Sequence, residues 1–220
     1  MLIDKIEIKA FKSLENLSFE LGQINVFVGA NGSGKSNILE GIGILSAAAN
    51  GKVDDNALLT RGVRPGVQNL YKCAFPGVRS SHIEFAAFHN AAGETKNASY
   101  KVSLFNPIVQ GNYTWQFHTE NLRFNNRKVL GRSHHSNTNK DFSIGLAALK
   151  AADPDPKIDN RAFDILRQLQ NYAIYAPATP FLRGIINESY SRPPLGIGGS
   201  HVADALAEFK RLIQIGRAHV

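Results

Sequence analysis

Eight residues limit this chain more than any others: Gly29-Ala30-Asn31-Gly32-Ser33-Gly34-Lys35-Ser36. The pattern Gly-x-x-x-x-Gly-Lys-Ser is that of a phosphate-binding loop, which works only between a strand and a helix. Both flanks are legible. Ile24-Asn25-Val26-Phe27-Val28 is β-branched and aromatic and predicts a buried strand. Ile38, Leu39, Ile42 and Leu45 fall on one face at helical spacing and predict a helix. Gly41 and Gly43 weaken that helix by roughly 1 kcal/mol each relative to Ala. A polyphosphate must be held by backbone N–H groups with no side chains in the way, which is what glycines permit. The helix adds its positive end. Lys35 can reach terminal phosphates, and the Ser36 hydroxyl suits a Mg²⁺ that keeps water and phosphate oxygens as its other ligands. With Gly at ~7% of residues, a chance match in a chain this long has a probability of roughly 1%.

Length and charge narrow the remainder. The 220 residues carry 25 Lys+Arg against 18 Asp+Glu, a net charge of +7, which is compatible with a nucleic-acid or nucleotide partner. No stretch approaches the ~20 apolar residues of a membrane span. The opening Met1-Leu2-Ile3-Asp4-Lys5 lacks the unbroken apolar run of a signal peptide. A lone Cys73 cannot form an internal disulfide and fits a reducing cytoplasm.

The chain opens with two alternating runs, Leu2 to Lys9 and Leu17 to Leu21, joined by a turn over Phe11 to Leu14. Ala47 to Asp55 reads as a loop. The middle, about 69–130, predicts an antiparallel meander laid beside the 24–28 strand. Its candidate strands are Asn69–Phe75, His82–His89, Ala98–Phe105, Tyr113–His118, and Leu122–Phe124 with Lys128–Leu130, with a turn at Asn90-Ala91-Ala92-Gly93. Gly131 to Asp141 reads as a loop. About 143–213 is a helical part. Ser143–Ala151 is a short helix, and Asp159 caps another through Asn171. Tyr172–Ala176 is a short buried strand, and Ser200 caps a last helix bearing Val202, Leu206, Phe209 and Ile213.

The loop and its continuation, Gly29 to Glu40, resemble the phosphate loop of RecF/SMC-type ATPases, within the ABC-type class. That class also includes the overcoming-lysogenization-defect family and many bacterial AAA family ATPases. Ile6-Glu7-Ile8-Lys9-Ala10-Phe11-Lys12-Ser13-Leu14 resembles that group's opening strand and turn. Ile174-Tyr175-Ala176-Pro177 and Leu195 to Ala203 resemble weaker landmarks. The resemblance implies an α/β fold: the N-terminal lobe of a P-loop NTPase of ABC-ATPase type, with an antiparallel β meander and a partial helical region. It implies ATP and Mg²⁺ as cofactors and a homodimer of heads that sandwiches two ATP molecules. A DNA partner, a repair or phage-defence role, a cytoplasmic location and no membrane partner complete it. Gly29, Asn31, Gly32, Ser33, Gly34, Lys35, Ser36 and Asn37 would hold ATP, Ser36 would hold Mg²⁺, and Lys12 and Ser13 would approach the nucleotide. The rival readings are a transporter ATPase subunit and an ATP-gated dimerisation module without significant hydrolysis.

Departures from the family pattern are informative. No apolar run ending in Asp-Glu follows Ser36, so the catalytic carboxylates are not found, and no Gln lies between Gln170 and Gln214. Thr179 and Arg183 stand in the corresponding loop without an assignable role. Gly198-Gly199-Ser200 is a candidate signature loop, with a plain helix start the favoured alternative. The tail suggests a reason. Ile215 to Val220 can be encoded by ATC GGA AGA GCA CAC GTC, a common sequencing adapter, and the bases before it finish a Gln214 codon. The expectation is a natural sequence through Ile213, part of a longer ATPase inactive on its own, followed by a non-native 214–220.

Other features read as ordinary. Arg123, Arg127, Lys128, Arg132 and Lys140 form a basic stretch, read as a solvated face rather than a nucleic-acid contact. His134-His135 lack metal spacing, so no zinc is expected. Trp115, Tyr113 and Phe117 read as core or cross-strand pairs rather than stacking platforms.

Overall fold

The structure is a computed structural model that describes residues 3–64, 66, 68–73, 75, 82–89, 97–105, 115–132, 141–153, 158–189, 192 and 195–217. Six strands build one sheet: β1 (Lys5–Phe11), β2 (Leu14–Glu20), β3 (His82–His89), β4 (Ala98–Phe105), β5 (Gln116–Phe124) and β6 (Arg127–Arg132). Their order is β2-β1-β3-β4-β5-β6, and every pair is antiparallel. Period-two alternation fixes the register by turning Ile6, Ile8, Phe85, Tyr100, Val102 and Leu122 to one buried face. Glu7, Lys9, Glu84 and Lys101 occupy the other.

On the buried face lies α1 (Lys35–Ala49). Every residue from Glu40 to Ala49 is buried, so this helix is enclosed rather than amphipathic. Its glycines have a packing reason. A Cβ at Gly41 would stand 2.7 Å from Ile8 Cδ1, and one at Gly43 2.4 Å from Val63 Cγ2. Close approach to β1 and to the 61–63 segment therefore compensates for weak helix propensity. Beside α1, and against β3 and β4, packs α4 (Asp164–Gln170), and Gln170 Nε2 donates to Ala49 O at 2.9 Å. Two short helices sit at the periphery, α2 (Asp55–Leu59) and α3 (Leu146–Ala152). After α4 come α5 (Thr179–Leu182) and α6 (Val202–Arg217).

Several sequence expectations change. The 24–28 run takes no regular secondary structure and, among the described residues, pairs with no strand; Ile24, Val26 and Val28 are 87%, 79% and 90% exposed. It is not the buried strand expected, and the meander packs beside β1 instead. Phe27 alone is half-buried, its ring edge-on to Phe19 at 5.6 Å between centres. Residues 69–75 hold the end of a 3₁₀ turn, Gln68–Tyr71, and a single bridge from Lys72 to Phe11. The strand begun at Tyr113 in the sequence reading runs instead as β5 to Phe124, and the helix expected from Ser143 starts at Leu146. Ala47–Ala49 remain in α1, and Asp55 opens α2. Asp159 caps a 3₁₀ turn, Asn160–Phe163, which leads into α4. Residues 172–176 form no strand, because their backbone bonds go to Arg61 and Ile197. The Ser200 hydroxyl donates to Glu188 rather than capping α6. The turn at residues 90–93, most of the loop after Arg132, His134, His135 and Tyr113 lie outside the described residues.

Candidate functional site

Two strained turns meet at the N-terminus of α1. The first joins β1 to β2. Lys12 takes a left-handed φ of 50°, and its N–H donates to Tyr71 O at 3.1 Å. The second is the glycine loop 29–34, where Gly32 and Gly34 have φ of 83° and 94°. Those values are inexpensive only for glycine. Gly34 also has no room, since a Cβ there would lie 2.8 Å from Ser13 Oγ. Ser13 Oγ in turn accepts from Asn37 Nδ2 at 2.8 Å. The hydroxyl of one turn thus braces the other and the first turn of the helix.

Lys35 folds back over the loop. Its ammonium donates to Gly29 O and Ala30 O, both at 2.6 Å, and lies 3.4 Å from Ser33 Oγ. The helix start has Gly34 as N-cap with no side-chain hydrogen bond. The first N–H groups of α1 therefore remain available, at the positive end of the helix dipole. Asn31, Gly32, Ser33 and Ser36 are exposed, Gly34 is buried, and Asn37 is half-buried. The Lys35 ammonium, the uncapped amides of the helix start and the exposed Ser36 stand together at the N-terminus of α1. This donor set fits a polyphosphate with a hard divalent cation.

Ser13 lies against the loop, whereas Lys12 spends its ammonium on Glu40 at 2.5 Å and sits 4.9 Å from the Tyr71 ring centre. Glu40 is the residue that sequence reasoning passed over. It is 3% exposed, one helical turn beyond Ser36, and is paired to both Lys12 and Arg64. Burial would raise its carboxyl pKa, but the hydrogen bonds from Arg64 and Lys12 outweigh this and hold it below its ordinary 4.5. The signal was present in the sequence as a charge among the apolar positions of a helix. Glu40 ties α1, the Lys12 turn and the 61–64 segment into one unit behind the loop.

The other candidates lie elsewhere. Thr179 and Arg183 are exposed at the two ends of α5. At Gly198-Gly199-Ser200 the Glu188 carboxylate accepts from both Gly198 N–H and the Ser200 hydroxyl, so this turn is already occupied by a side chain. Among the described residues no group of three His, Cys, Asp or Glu could hold a metal ion, and no helix is long and apolar enough to cross a membrane.

Residues 1–146, two thirds of the chain, match the AAA ATPase domain. The chain belongs to that family. Its mixed α/β architecture with an antiparallel sheet is the fold of this member. The chain is also similar to the DNA double-strand break repair Rad50 ATPase of Saccharolobus solfataricus, 38% identical over 72 residues. That stretch is 32% of this chain and 8% of the relative. It is likewise similar to the DNA replication and repair protein RecF of Halothermothrix orenii, 40% identical over 62 residues, 28% of this chain and 16% of the relative. The chain thus covers only a small part of each curated relative, and the RecF/SMC-like resemblance read from its first residues stands.

Proposed function

We propose that this chain is the nucleotide-binding N-terminal lobe of a RecF/SMC-like ATPase head with a P-loop NTPase fold. The observation that carries the reading is the cluster at α1: the Lys35 ammonium over the loop, two left-handed glycines and an uncapped helix start. Gly29 to Asn37 would wrap the ATP phosphates, with Ser13 bracing Gly34. Ser36 would hold Mg²⁺, which when bound screens phosphate charge. Lys35 would exchange the loop carbonyls for terminal phosphate oxygens. Ser33 and Asn31, both exposed, would close over them. Catalysis of this type is mostly positioning and charge stabilisation.

The reading also covers what the chain lacks. A run rich in β-branched and aromatic residues suits a strand buried between two neighbours. The exposure of Ile24, Val26 and Val28 supports a head whose remaining strands, with the water-activating carboxylates, are supplied from outside residues 1–213. In that full-length form two heads would pair around ATP, with DNA as the target in repair or phage defence in a reducing cytoplasm. Residues 214–220 would be the non-native tail. ATP-gated association without turnover is the second reading, and it is favoured by the absence from the sequence of an apolar run ending in Asp-Glu.

Titration of the 220-residue chain with a fluorescent ATP analogue and Mg²⁺ tests the proposal. Saturable binding, weakened tenfold or more by Lys35→Ala without loss of fold, is expected. Equal binding by wild type and variant would overturn it. Turnover abolished by Lys35→Ala would sink the claim that the carboxylates lie elsewhere.

A further inference from the structure

Arg132, the last residue of β6, sits on an unexpected face for a cation. Its sequence context is a basic stretch read as solvated. The register row Ile8, Phe85, Val102, Glu120, Arg132 instead turns it toward the core, and it is 4% exposed. None of its three guanidinium nitrogens donates a hydrogen bond, and the guanidinium lies 5.6 Å from the Phe142 ring centre. A buried guanidinium without acceptors is costly.

The acceptor it lacks stands opposite. Glu120 is its direct cross-strand partner and is 1% exposed. Residues so paired have Cβ atoms ~4.5–5.5 Å apart, well within the reach of an arginine. No hydrogen bond joins the two, because Glu120 is engaged elsewhere. Its carboxylate accepts from the Tyr100 hydroxyl at 2.9 Å, and from the Leu146 and Ala147 N–H groups at 2.6 and 3.0 Å. Those two amides open α3, where no helical carbonyl is available to them. In this position Glu120 serves α3 and leaves Arg132 unpaired. Turned along the row, it would satisfy Arg132 and leave the two amides to water.

Little else holds α3. Of its seven residues only Ala147 is buried. A helix this short has little stability of its own. The residues before it are tied by Phe117 N–H to Phe142 O at 2.7 Å, and by Gly145 N–H to Gly51 O at 2.8 Å, just past the end of α1. The seat is close-fitted, since a Cβ at Gly51 would stand 2.7 Å from Ala148 Cβ. Residues 142–152 thus form a strap across β5, β6 and the far end of the helix that carries the glycine loop.

We propose that Glu120 is a two-position latch for this strap: bound to the α3 amides it holds the strap down, and turned to Arg132 it lets the strap lift. Each position satisfies one buried demand at the expense of the other, which is what makes a packed element bistable. Arg132 is the positioning residue, acting on α3 through Glu120. Lifting uncovers the Phe117 ring, against which Gly145 lies. The latch is separate from the glycine loop and does not depend on the nucleotide reading.

Amide hydrogen exchange of the full chain, resolved by residue with NMR, tests the latch. The Leu146 and Ala147 amides report on it directly, because Glu120 is their acceptor. In the wild type both should exchange at least ~tenfold faster than the amides of Val102 and Leu122, at a rate that low urea leaves unchanged, since the strap opens without the sheet. Arg132→Met removes the competing cation and keeps an apolar side chain in its place, so exchange at both amides should slow by roughly tenfold. In a Glu120→Gln background the same substitution should change exchange by less than about twofold, because the latch is already gone. Exchange of the two amides only together with the sheet in the wild type, faster or unchanged exchange in Arg132→Met, or equal slowing in the Glu120→Gln background would each overturn the proposal. Faster exchange in Arg132→Met would mean that its stacking on Phe142 pins the strap instead.

Discussion

The sheet with α1 and the 24–28 run begin from similar residues and end in opposite environments. Ile6, Ile8, Phe85 and Leu104 are at most 2% exposed, whereas Ile24, Val26 and Val28 are at least 79% exposed. The difference lies in pairing. Each central strand of the sheet has backbone partners on both sides and a helix across one face. The 24–28 run has the Phe19 contact and, among the described residues, no strand partner. Apolar side chains become a core only where the backbone beneath them is also satisfied.

The largest effect that can break this comparison belongs to the core. Phe85 packs against Phe11 at 5.7 Å between ring centres. Phe85→Ala should cost about 3–5 kcal/mol, read as a lowered urea midpoint with an unchanged slope. A loss under about 1 kcal/mol would mean that the sheet is no better packed than the exposed run.

Next comes Glu40. Glu40→Gln removes an acceptor shared by Lys12 and Arg64, and should cost about 1.5–3 kcal/mol at neutral pH. The pH dependence has a definite sign. Because the folded pKa is depressed, the stabilisation is present above the ordinary 4.5 and is lost as pH falls through the folded value. The gap between wild type and variant should therefore close as acid is added below about pH 4.5. Glu120 runs the other way. Burial raises its pKa despite the amides of Ala147 and Leu146, so its contribution diminishes as pH rises through that raised value. A gap for Glu40→Gln that widens in acid would refute the pairing.

The glycine loop comes third. Gly34→Ala meets both a φ of 94° and the Ser13 hydroxyl, while Gly32→Ala meets only a φ of 83° with nothing within 4 Å. Costs of about 2 and about 1 kcal/mol are expected by thermal unfolding. Equal costs would show that Ser13 yields and does not brace the loop.

Much of this was legible in the sequence, and the remainder was not for definite reasons. His82–His89 and Ala98–Phe105 were read to the residue because period-two alternation and a one-sided core act together there. The glycine loop was legible because its chemistry dictates spacing. Residues 24–28 and 172–176 read as buried strands from their apolar content, yet among the described residues neither finds a strand partner. Asn69–Phe75 carries similar residues, but Tyr71 instead turns its ring onto Trp115 at 5.0 Å, closing a 3₁₀ turn. Composition marks what should be covered, whereas strand formation depends on what is available to cover it. The Glu40 cluster needed long-range partners, at positions 12 and 64, that no local pattern specifies.

The smallest expected effect discriminates most sharply. If the 24–28 run were buried as its composition suggests, Val26→Asp would place an unpaired carboxylate in the core and cost several kcal/mol. At 79% exposure the same change should move stability by no more than about 0.5 kcal/mol. It should also make the chain less prone to associate, because it puts a charge on an open apolar edge. Urea unfolding and sedimentation of the same two samples separate the outcomes. Unchanged stability with reduced association fits an edge awaiting strands from outside the chain. A loss of several kcal/mol that grows with protein concentration would mean that a second copy already covers the run in solution. The contrast between the two regions would then be one between a core within the chain and a core shared between chains.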